Sequence, residues 1–335
     1  MGTRLKIAVF LAMLCSGFFA RAHAAPLPFR GGPVFERVRA RGFVRCGGVP
    51  RPGLAEVDGR GHWSGIEVDV CRAVAAAVEG SPDRIVFHGY ETPGRFAAVR
   101  DHRDDVFFLT GQEINDNGLA GRIVPGPAVF IESHAVMVPA GSFARHVAGL
   151  AGNTICFLSG SGAERSLENY FGRLHKVFFL PMPFSERGEM YDAYDVRRCL
   201  AIAGEMTSLA AARLQRGMGR LSSRILPEPL SVFPIIAATG TEDAKWASIV
   251  AWTVITLVSA DRPETKWYAA GAGAMPVGAP ELGLDRGWQR RVLTAAGSYG
   301  DIFERDLGKG SRFKLGRGLN KSQPAGGLLL APFLD

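Results

Sequence analysis

The fold of this chain is decided by three segments within residues 43–78: FVRCGG at 43–48, PRPGLAEVDGRGHW at 50–63 and SGIEVDVCRAVAAAV at 64–78. They predict a strand, a loop and a helix, because apolar residues recur at every fourth position from Ile66 to Val78 and so share one helix face. In open α/β folds, a loop that joins a strand to a helix in this way lies at the carboxyl end of the sheet, where small ligands bind. Function is therefore expected around residues 50–63, which we call the lip.

The alternation of strand and helix continues outward from this unit. Strands are predicted at 84–87 and 106–109, with a helix at 94–100 between them. A second unit repeats the order, with strands at 154–158, 177–180 and 200–203 and helices at 163–174, 190–197 and 207–215. Residues 135–138 and 230–237 are predicted to carry the chain into the second unit and back. The order predicts a parallel sheet in each unit, and 335 residues suffice for two such α/β lobes.

The first 24 residues are expected to be a secretory signal that is cleaved near Ala24. Arg4 and Lys6 provide a basic start, an apolar run follows at 7–20, and small residues stand at Ala22 and Ala24. The alternative, an uncleaved anchor, is disfavoured because the run is shorter than the roughly 20 residues that span a bilayer. The mature protein is therefore expected to be exported.

Composition indicates an ordinary globular protein, with 47% hydrophobic and 21% charged residues. The signal contains three basic residues and no acid, so its removal lowers the formal charge from +7 to +4. Such a mild charge gives no reason to expect a nucleic-acid partner. The most apolar predicted helix, at 245–260, is too short to cross a membrane, so no stable membrane insertion is expected.

Four cysteines remain in the mature chain: Cys46, Cys71, Cys156 and Cys199. An even number in an exported protein indicates disulfides, although four cysteines allow three pairings. Proximity in the sequence favours Cys46 with Cys71 and Cys156 with Cys199, which would give one bridge in each lobe. The alternative, a zinc site, lacks any CxxC or paired-His spacing, so no metal or cofactor is expected.

The loop SGSG at residues 159–162 follows a predicted strand and opens a predicted helix. Glycines at this place expose backbone amides at a helix N-terminus, which can bind an anion. The plain alternative is a strand-to-helix turn without a ligand. The loop matches neither a P-loop nor a dinucleotide fingerprint, so a nucleotide is not expected.

Several further segments carry a resemblance to a known family: GHWSGIEVDVCRAVAAAV at 61–78, GSYGDIFERDLGKGS at 297–311, RGLN at 317–320 and GGLLLAPF at 326–333. Together they resemble the periplasmic solute-binding proteins of ABC transporters for polar or general L-amino acids. The resemblance implies the type II periplasmic-binding-protein fold, with two Rossmann-like lobes joined by hinge strands. Lobe 1 would contain residues 33–132 and 238–335, and lobe 2 residues 133–237. It also implies a monomer in the periplasm that encloses a small polar solute and delivers it to an ABC transporter permease.

The family's ligand positions are carried over one at a time. The stretch after the third strand corresponds to residues 109–117, where Thr110 and Gln112 would contact the ligand and Asn117 stands in place of the family's carboxylate-binding Arg. In lobe 2, Ser161 and Gly162 would offer a hydroxyl and an amide. Glu205 stands in place of the Asp that pairs with the ligand's ammonium, and Leu54 in place of the aromatic residue of the lip.

Asn117 is the departure with the largest physical consequence. A guanidinium forms a charge-assisted, two-pronged pair with a carboxylate, whereas Asn offers one neutral donor group. The ligand is therefore expected to be amino-acid-like but bound at an altered carboxylate site. Arg122 or Arg51 could supply the missing charge from another position, while Glu113 would disfavour an anion.

Two other functions fit the same fold. A degenerate binding-fold protein could act as an accessory or sensor protein that contacts a periplasmic partner. An enzyme is less favoured, although related folds include periplasmic dehydratases. The sequence contains no HExxH motif and no GxSxG elbow, and Asp104 and Asp105 are adjacent residues rather than a spaced acid and base. The chain is therefore expected not to be an enzyme.

Overall fold

The computed structural model describes residues 31–91, 94–174, 178–217, 222–261 and 279–331. The strands within these ranges are β1 (Val44–Gly48), β2 (Glu56–Val57), β3 (Trp63–Ser64), β4 (Ile85–Gly89), β5 (Val106–Thr110), β6 (Ile123–Pro139), β7 (Thr154–Leu158), β8 (Leu180–Phe184), β9 (Ala201–Glu205), β10 (Ser223–Ile225) and β11 (Ser231–Gly240). The helices are α1 (Pro33–Arg41), α2 (Ile66–Glu79), α3 (Gly94–Arg100), α4 (Gly111–Asp116), α5 (Gly162–Arg173), α6 (Arg187–Asp195), α7 (Met206–Gly217), α8 (Ala244–Ser259), α9 (Ala279–Leu282), α10 (Trp288–Ala296) and α11 (Tyr299–Asp306). The predicted signal lies outside the described residues.

Two long antiparallel strands, β6 and β11, connect the two halves of one nine-stranded sheet. The strand order is β4-β1-β5-β11-β6-β9-β7-β8, and β10 also pairs with β6. β11 pairs with β5 on one side and β6 on the other, and the far end of β6 pairs with β9. The three strands at each end, β4-β1-β5 and β9-β7-β8, are parallel. The predicted architecture of two Rossmann-like lobes joined by hinge strands is confirmed, while the residue bounds of the lobes stay a prediction.

Helices α2, α8 and α10 pack together to form the helical side of the lobe 1 core. Trp246 on α8 is fully buried, and its indole Nε1 donates a hydrogen bond of 2.8 Å to the carbonyl oxygen of Asp105. Asp243 caps α8 by accepting from the backbone N–H of Trp246. The apolar segment at 245–260 is therefore a core helix. None of the described helices combines the length and apolar character needed to cross a membrane.

Each lobe contains one disulfide. Cys46 on β1 is bonded to Cys71 on α2, and Cys156 on β7 is bonded to Cys199 in the bend before β9. The pairing favoured by proximity is therefore confirmed. Each bridge ties the first strand of a parallel unit to an element that follows it. In the described part of the chain, no cluster of three or more His, Cys, Asp or Glu side chains could hold a metal ion.

The second strand of lobe 2 differs from the prediction, because β8 covers 180–184 and overlaps the predicted strand at 177–180 only at Leu180, while Val177 lies outside the described residues. β8 lies at the sheet edge and pairs only with β7 among the described strands. Pro181 and Pro183 alternate with residues whose N–H groups can face β7, and Leu180 donates to the carbonyl of Asn153. Proline is tolerated in an edge strand when its missing N–H would face away from the neighbouring strand. The two prolines made this segment unlike a strand in the sequence.

Candidate ligand-binding cleft

A cleft between the lobes consists of three adjoining compartments of about 590, 500 and 130 Å³. Among the described residues, Glu205 alone lines all three compartments. Arg51 from the lip and Glu113 from α4 also line both of the larger ones. The centre of the cleft is thus formed by one cation and two carboxylates.

On the lobe 1 side, Thr110 ends β5 and caps α4. Its Oγ1 accepts from the backbone N–H of Glu113 at 3.2 Å, and the Glu113 carboxylate accepts from the N–H of Thr110 at 2.8 Å. This reciprocal capping box stabilises a helix of only six residues. Gln112 and Asn117 also line the cleft, but the Asn117 amide donates to the carbonyl of Glu113 at 2.8 Å. Asn117 therefore closes the helix that Thr110 opens.

Arg51, one of the two arginines that the sequence offered in place of the family's Arg, lies in the cleft. Its guanidinium is buried and donates to the Glu113 carboxylate at 3.0 Å, with Glu67 at 3.8 Å. Burial works against a charged guanidinium, but the carboxylates of Glu67, Glu205 and Glu113 outweigh it, and the pKa of Arg51 is raised. The other alternative, Arg122, is exposed and is not among the residues that line the cleft.

On the lobe 2 side, the loop at 159–162 opens α5 as the sequence predicted. Ser161 is the N-cap, and its hydroxyl accepts from the N–H of Glu164 at 3.5 Å. The Glu164 carboxylate in turn accepts from the N–H of Gly160 at 2.7 Å. The Glu164 carboxylate thus already accepts from one of the backbone N–H groups that could otherwise bind an external anion. Ser161 and Gly162 both line the smallest compartment.

His134 is a cleft residue that sequence reasoning missed. It lies on β6, and its Nδ1 is 3.0 Å from the Ser166 hydroxyl and 2.9 Å from the Ser231 hydroxyl. Burial lowers the pKa of His134. Its ring packs so closely on α5 that a Cβ added to Gly162 would lie 2.5 Å from the His134 Cε1. The sequence signal that could have identified His134 as a cleft residue was its position directly before the predicted connecting strand at 135–138.

Glu205 lies at the carboxyl end of β9, opposite His134 in the β6–β9 ladder. Its carboxylate accepts from the Ser208 hydroxyl at 3.4 Å. Within the described part of the chain, no Lys, Arg or His side chain is within 4.0 Å of it in an ion pair. It is half-buried and available to a ligand from each compartment.

Leu54 takes a different position from the other sequence-predicted site residues. It is fully buried in the core of lobe 1 and does not line the cleft. Pro50, Arg51 and Pro52 form the cleft-facing part of the lip instead. The structure thus brings together Thr110, Gln112, Asn117, Ser161, Gly162 and Glu205 around the cleft, without Leu54.

The chain is 32% identical over 313 residues to the general L-amino acid-binding periplasmic protein AapJ of Rhizobium johnstonii, with 88% of this chain and 91% of AapJ covered. The chain belongs to the periplasmic binding proteins of amino-acid ABC transporters. As a member of this family it is a solute-binding protein of the periplasm and not an enzyme.

Two further relatives agree with this assignment. The glutamate/glutamine/aspartate/asparagine-binding protein BztA of Rhodobacter capsulatus is 28% identical, with 89% of this chain and 92% of BztA covered. A solved ABC transporter periplasmic binding protein from Brucella ovis, with glutathione bound, is 30% identical with a TM-score of 0.73. The alignment covers 90% of this binding protein and 99% of the Brucella chain. No protein-family model matches the chain.

Proposed function

We propose that this binding protein captures a small polar, amino-acid-like solute and delivers it as a monomer to the permease of an ABC transporter. The observation that carries the proposal is Glu205, a carboxylate without a partnering cation in the described residues, which faces all three compartments of the interlobe cleft. A carboxylate in this place suits the ammonium group of a ligand. The relatives support the class of solute, since AapJ is named for general L-amino acids and the Brucella protein was solved with glutathione.

The carboxylate site is altered in this proposal. Thr110, Gln112 and Asn117 would contact the solute from lobe 1, and Ser161, Gly162 and Glu205 from lobe 2. Asn117 cannot replace a guanidinium, and its amide already donates to the carbonyl of Glu113. Arg51 is the buried cation of the cleft, and it is engaged by Glu113.

The experiment is a thermal-shift and calorimetric survey of the mature protein, refolded free of carried-over ligand, against amino acids, amines, peptides and organic acids. A bound solute stabilises the native state by RT ln(1 + [L]/Kd), so the melting temperature should rise with its concentration. Glu205→Gln should weaken that binding by roughly tenfold or more, because it removes the ion pair and keeps the size. Glu168→Gln, on the exposed face of α5, is the matched control and should bind normally.

Stabilisation by no class of solute would contradict the receptor proposal and favour the accessory or sensor protein. Binding that Glu205→Gln leaves unchanged would remove Glu205 from the proposed site. Closure of the lobes on binding would appear in small-angle scattering as a smaller radius of gyration.

A further inference from the structure

The cleft of this binding protein already contains a carboxylate at a place built to receive one. A guanidinium and a backbone N–H that converge on one point together form a carboxylate site. Arg51 Nη2 and the N–H of Thr110 are such a pair, and they converge on the two oxygens of Glu113 at 3.0 and 2.8 Å. The carboxylate that these two donors bind is therefore the protein's own Glu113 side chain.

The same arrangement occurs on the opposite wall. At the start of α5, Glu164 accepts from the N–H of Gly160 at 2.7 Å. Glu113 of α4 and Glu164 of α5 thus each place an internal carboxylate on one backbone N–H of the cleft wall. A carboxylate of an incoming ligand would have to displace Glu113 from a buried ion pair or approach it as a like charge, and both cost free energy.

The other charges of the cleft do not compensate for the cost of bringing a ligand carboxylate to Glu113. Arg165 and Arg187 line it, but they are exposed at the rim, where water screens their charge. Glu205 and Asp116 also face the cavity. The buried cation Arg51 is engaged by Glu113 and lies near Glu67. The interior of the cleft consequently offers negative charge to a ligand and a positive charge that is already paired.

Building on the receptor function proposed above, we infer that the solute is a cationic amine that lacks an α-carboxylate, with Glu113 occupying the place of that carboxylate. The ammonium group binds at Glu205, on the side of the cleft opposite α4. The capping of α4 holds Glu113 on Arg51, so the internal carboxylate is fixed before the ligand arrives. The cleft therefore discriminates between an amine and the amino acid from which it differs by one carboxylate.

Calorimetry with matched pairs tests this discrimination directly: agmatine and arginine, cadaverine and lysine, putrescine and ornithine, histamine and histidine, with glutathione as a carboxylate-rich peptide. We expect the amine of at least one pair to bind roughly tenfold or more tightly than its amino acid, as expected for an unfavourable buried charge. Equal or tighter binding of the amino acids, or binding only of glutathione or another acid, would overturn the inference and leave the receptor function standing. The absence of binding by any solute would overturn both.

Glu113→Gln tests the assigned residue. Gln keeps the size of Glu and can still accept in the capping box, but it removes the charge that fills the site. The variant should bind the preferred amine less tightly and its amino acid more tightly, narrowing the ratio of the two affinities by roughly tenfold. Glu168→Gln should leave the ratio unchanged. A ratio that stays the same in a Glu113→Gln protein with a native melting temperature would contradict the role of Glu113.

Discussion

The side-chain amide of Asn320 forms with Ile131 the two hydrogen bonds that a neighbouring strand would form. Its Oδ1 accepts from the N–H of Ile131 at 2.7 Å, and its Nδ2 donates to the Ile131 carbonyl at 2.9 Å. Ile131 lies on the hinge strand β6 just before its pairing with β9 begins at His134. The C-terminal segment thus completes the edge of the hinge strand through one buried side chain.

Asn320→Ala should destabilise the protein by about 2–3 kcal/mol. The substitution removes the two hydrogen bonds to Ile131 and the one of 3.3 Å that Asn320 Oδ1 accepts from the Tyr299 hydroxyl. Both backbone groups of Ile131 lose their Asn320 partner, and unsatisfied buried groups cost more than the bonds themselves contribute. Urea denaturation measures the change. Asn169→Ala, at an exposed position on α5, is the control and should change the free energy of unfolding little. Equal stability of the two variants would show that the backbone groups of Ile131 find other hydrogen-bond partners without Asn320.

Gly162→Ala should weaken solute binding and destabilise the protein by about 1–2 kcal/mol, because the new methyl group would overlap the ring of His134. The backbone at this glycine does not have a positive φ, so the effect is steric. The double variant Gly162→Ala/His134→Ala should recover most of the stability, since Ser166 and Ser231 still bond to each other at 2.8 Å. Thermal denaturation of the native protein, the two single variants and the double variant gives the coupling energy between the two positions. Losses of stability that add up in the double variant would contradict the contact.

The sequence predicted the elements whose signals are local. Helix α3 matches its expected bounds, and α2 and α8 extend no more than one residue beyond theirs, because their apolar periodicity reflects packing on one face. Helix α4 was missed because one apolar residue in six gives no periodic pattern. Its signal was the Thr-x-x-Glu capping box that directly follows a strand.

The cleft was predicted less completely, for a different reason. Thr110 and Glu205 are the last residues of strands that end at the cleft, so their placement could be read from the order of elements. The position of the Arg51 side chain depends on its bond to Glu113, 62 residues away, and a pairing at that separation leaves no local pattern in the sequence. Leu54 was carried over from the aromatic residue that the family has in the lip. Its side chain instead points into the core, where it is fully buried, and the loop sequence does not show side-chain direction.

The two disulfides should each contribute about 3–4 kcal/mol to stability, with the larger share from Cys156–Cys199, because it closes a loop of 43 residues against 25. Paired Cys→Ser substitutions, one lobe at a time, test this by urea denaturation under oxidising conditions. A reducing agent breaks both bridges, so it should lower the stability of the native protein below that of either paired Cys→Ser variant. Identical unfolding with and without reductant would contradict a structural role for the bridges.

The buried carboxyl of Glu132 should make the protein less stable as the pH rises from about 4.5 to 7. Glu132 lies on β6 and accepts from the Thr207 hydroxyl at 2.6 Å and the Ser133 N–H at 2.8 Å. Burial, with a smaller contribution from Glu205, raises the pKa of Glu132 from 4.5 to about 7. Between these values the folded protein keeps a proton that the unfolded chain has lost, so stability falls with rising pH through this window.

Glu132→Gln removes this titration, because the amide is neutral in both states. Relative to the native protein, the variant should therefore gain stability as the pH is raised from 5 to 8, by a few kcal/mol in total. Urea denaturation at four pH values measures the difference. Glu168→Gln is the matched control, because it makes the same substitution at an exposed position on α5. A stability difference between Glu132→Gln and the native protein that is constant with pH would show that Glu132 is ionised in the folded state.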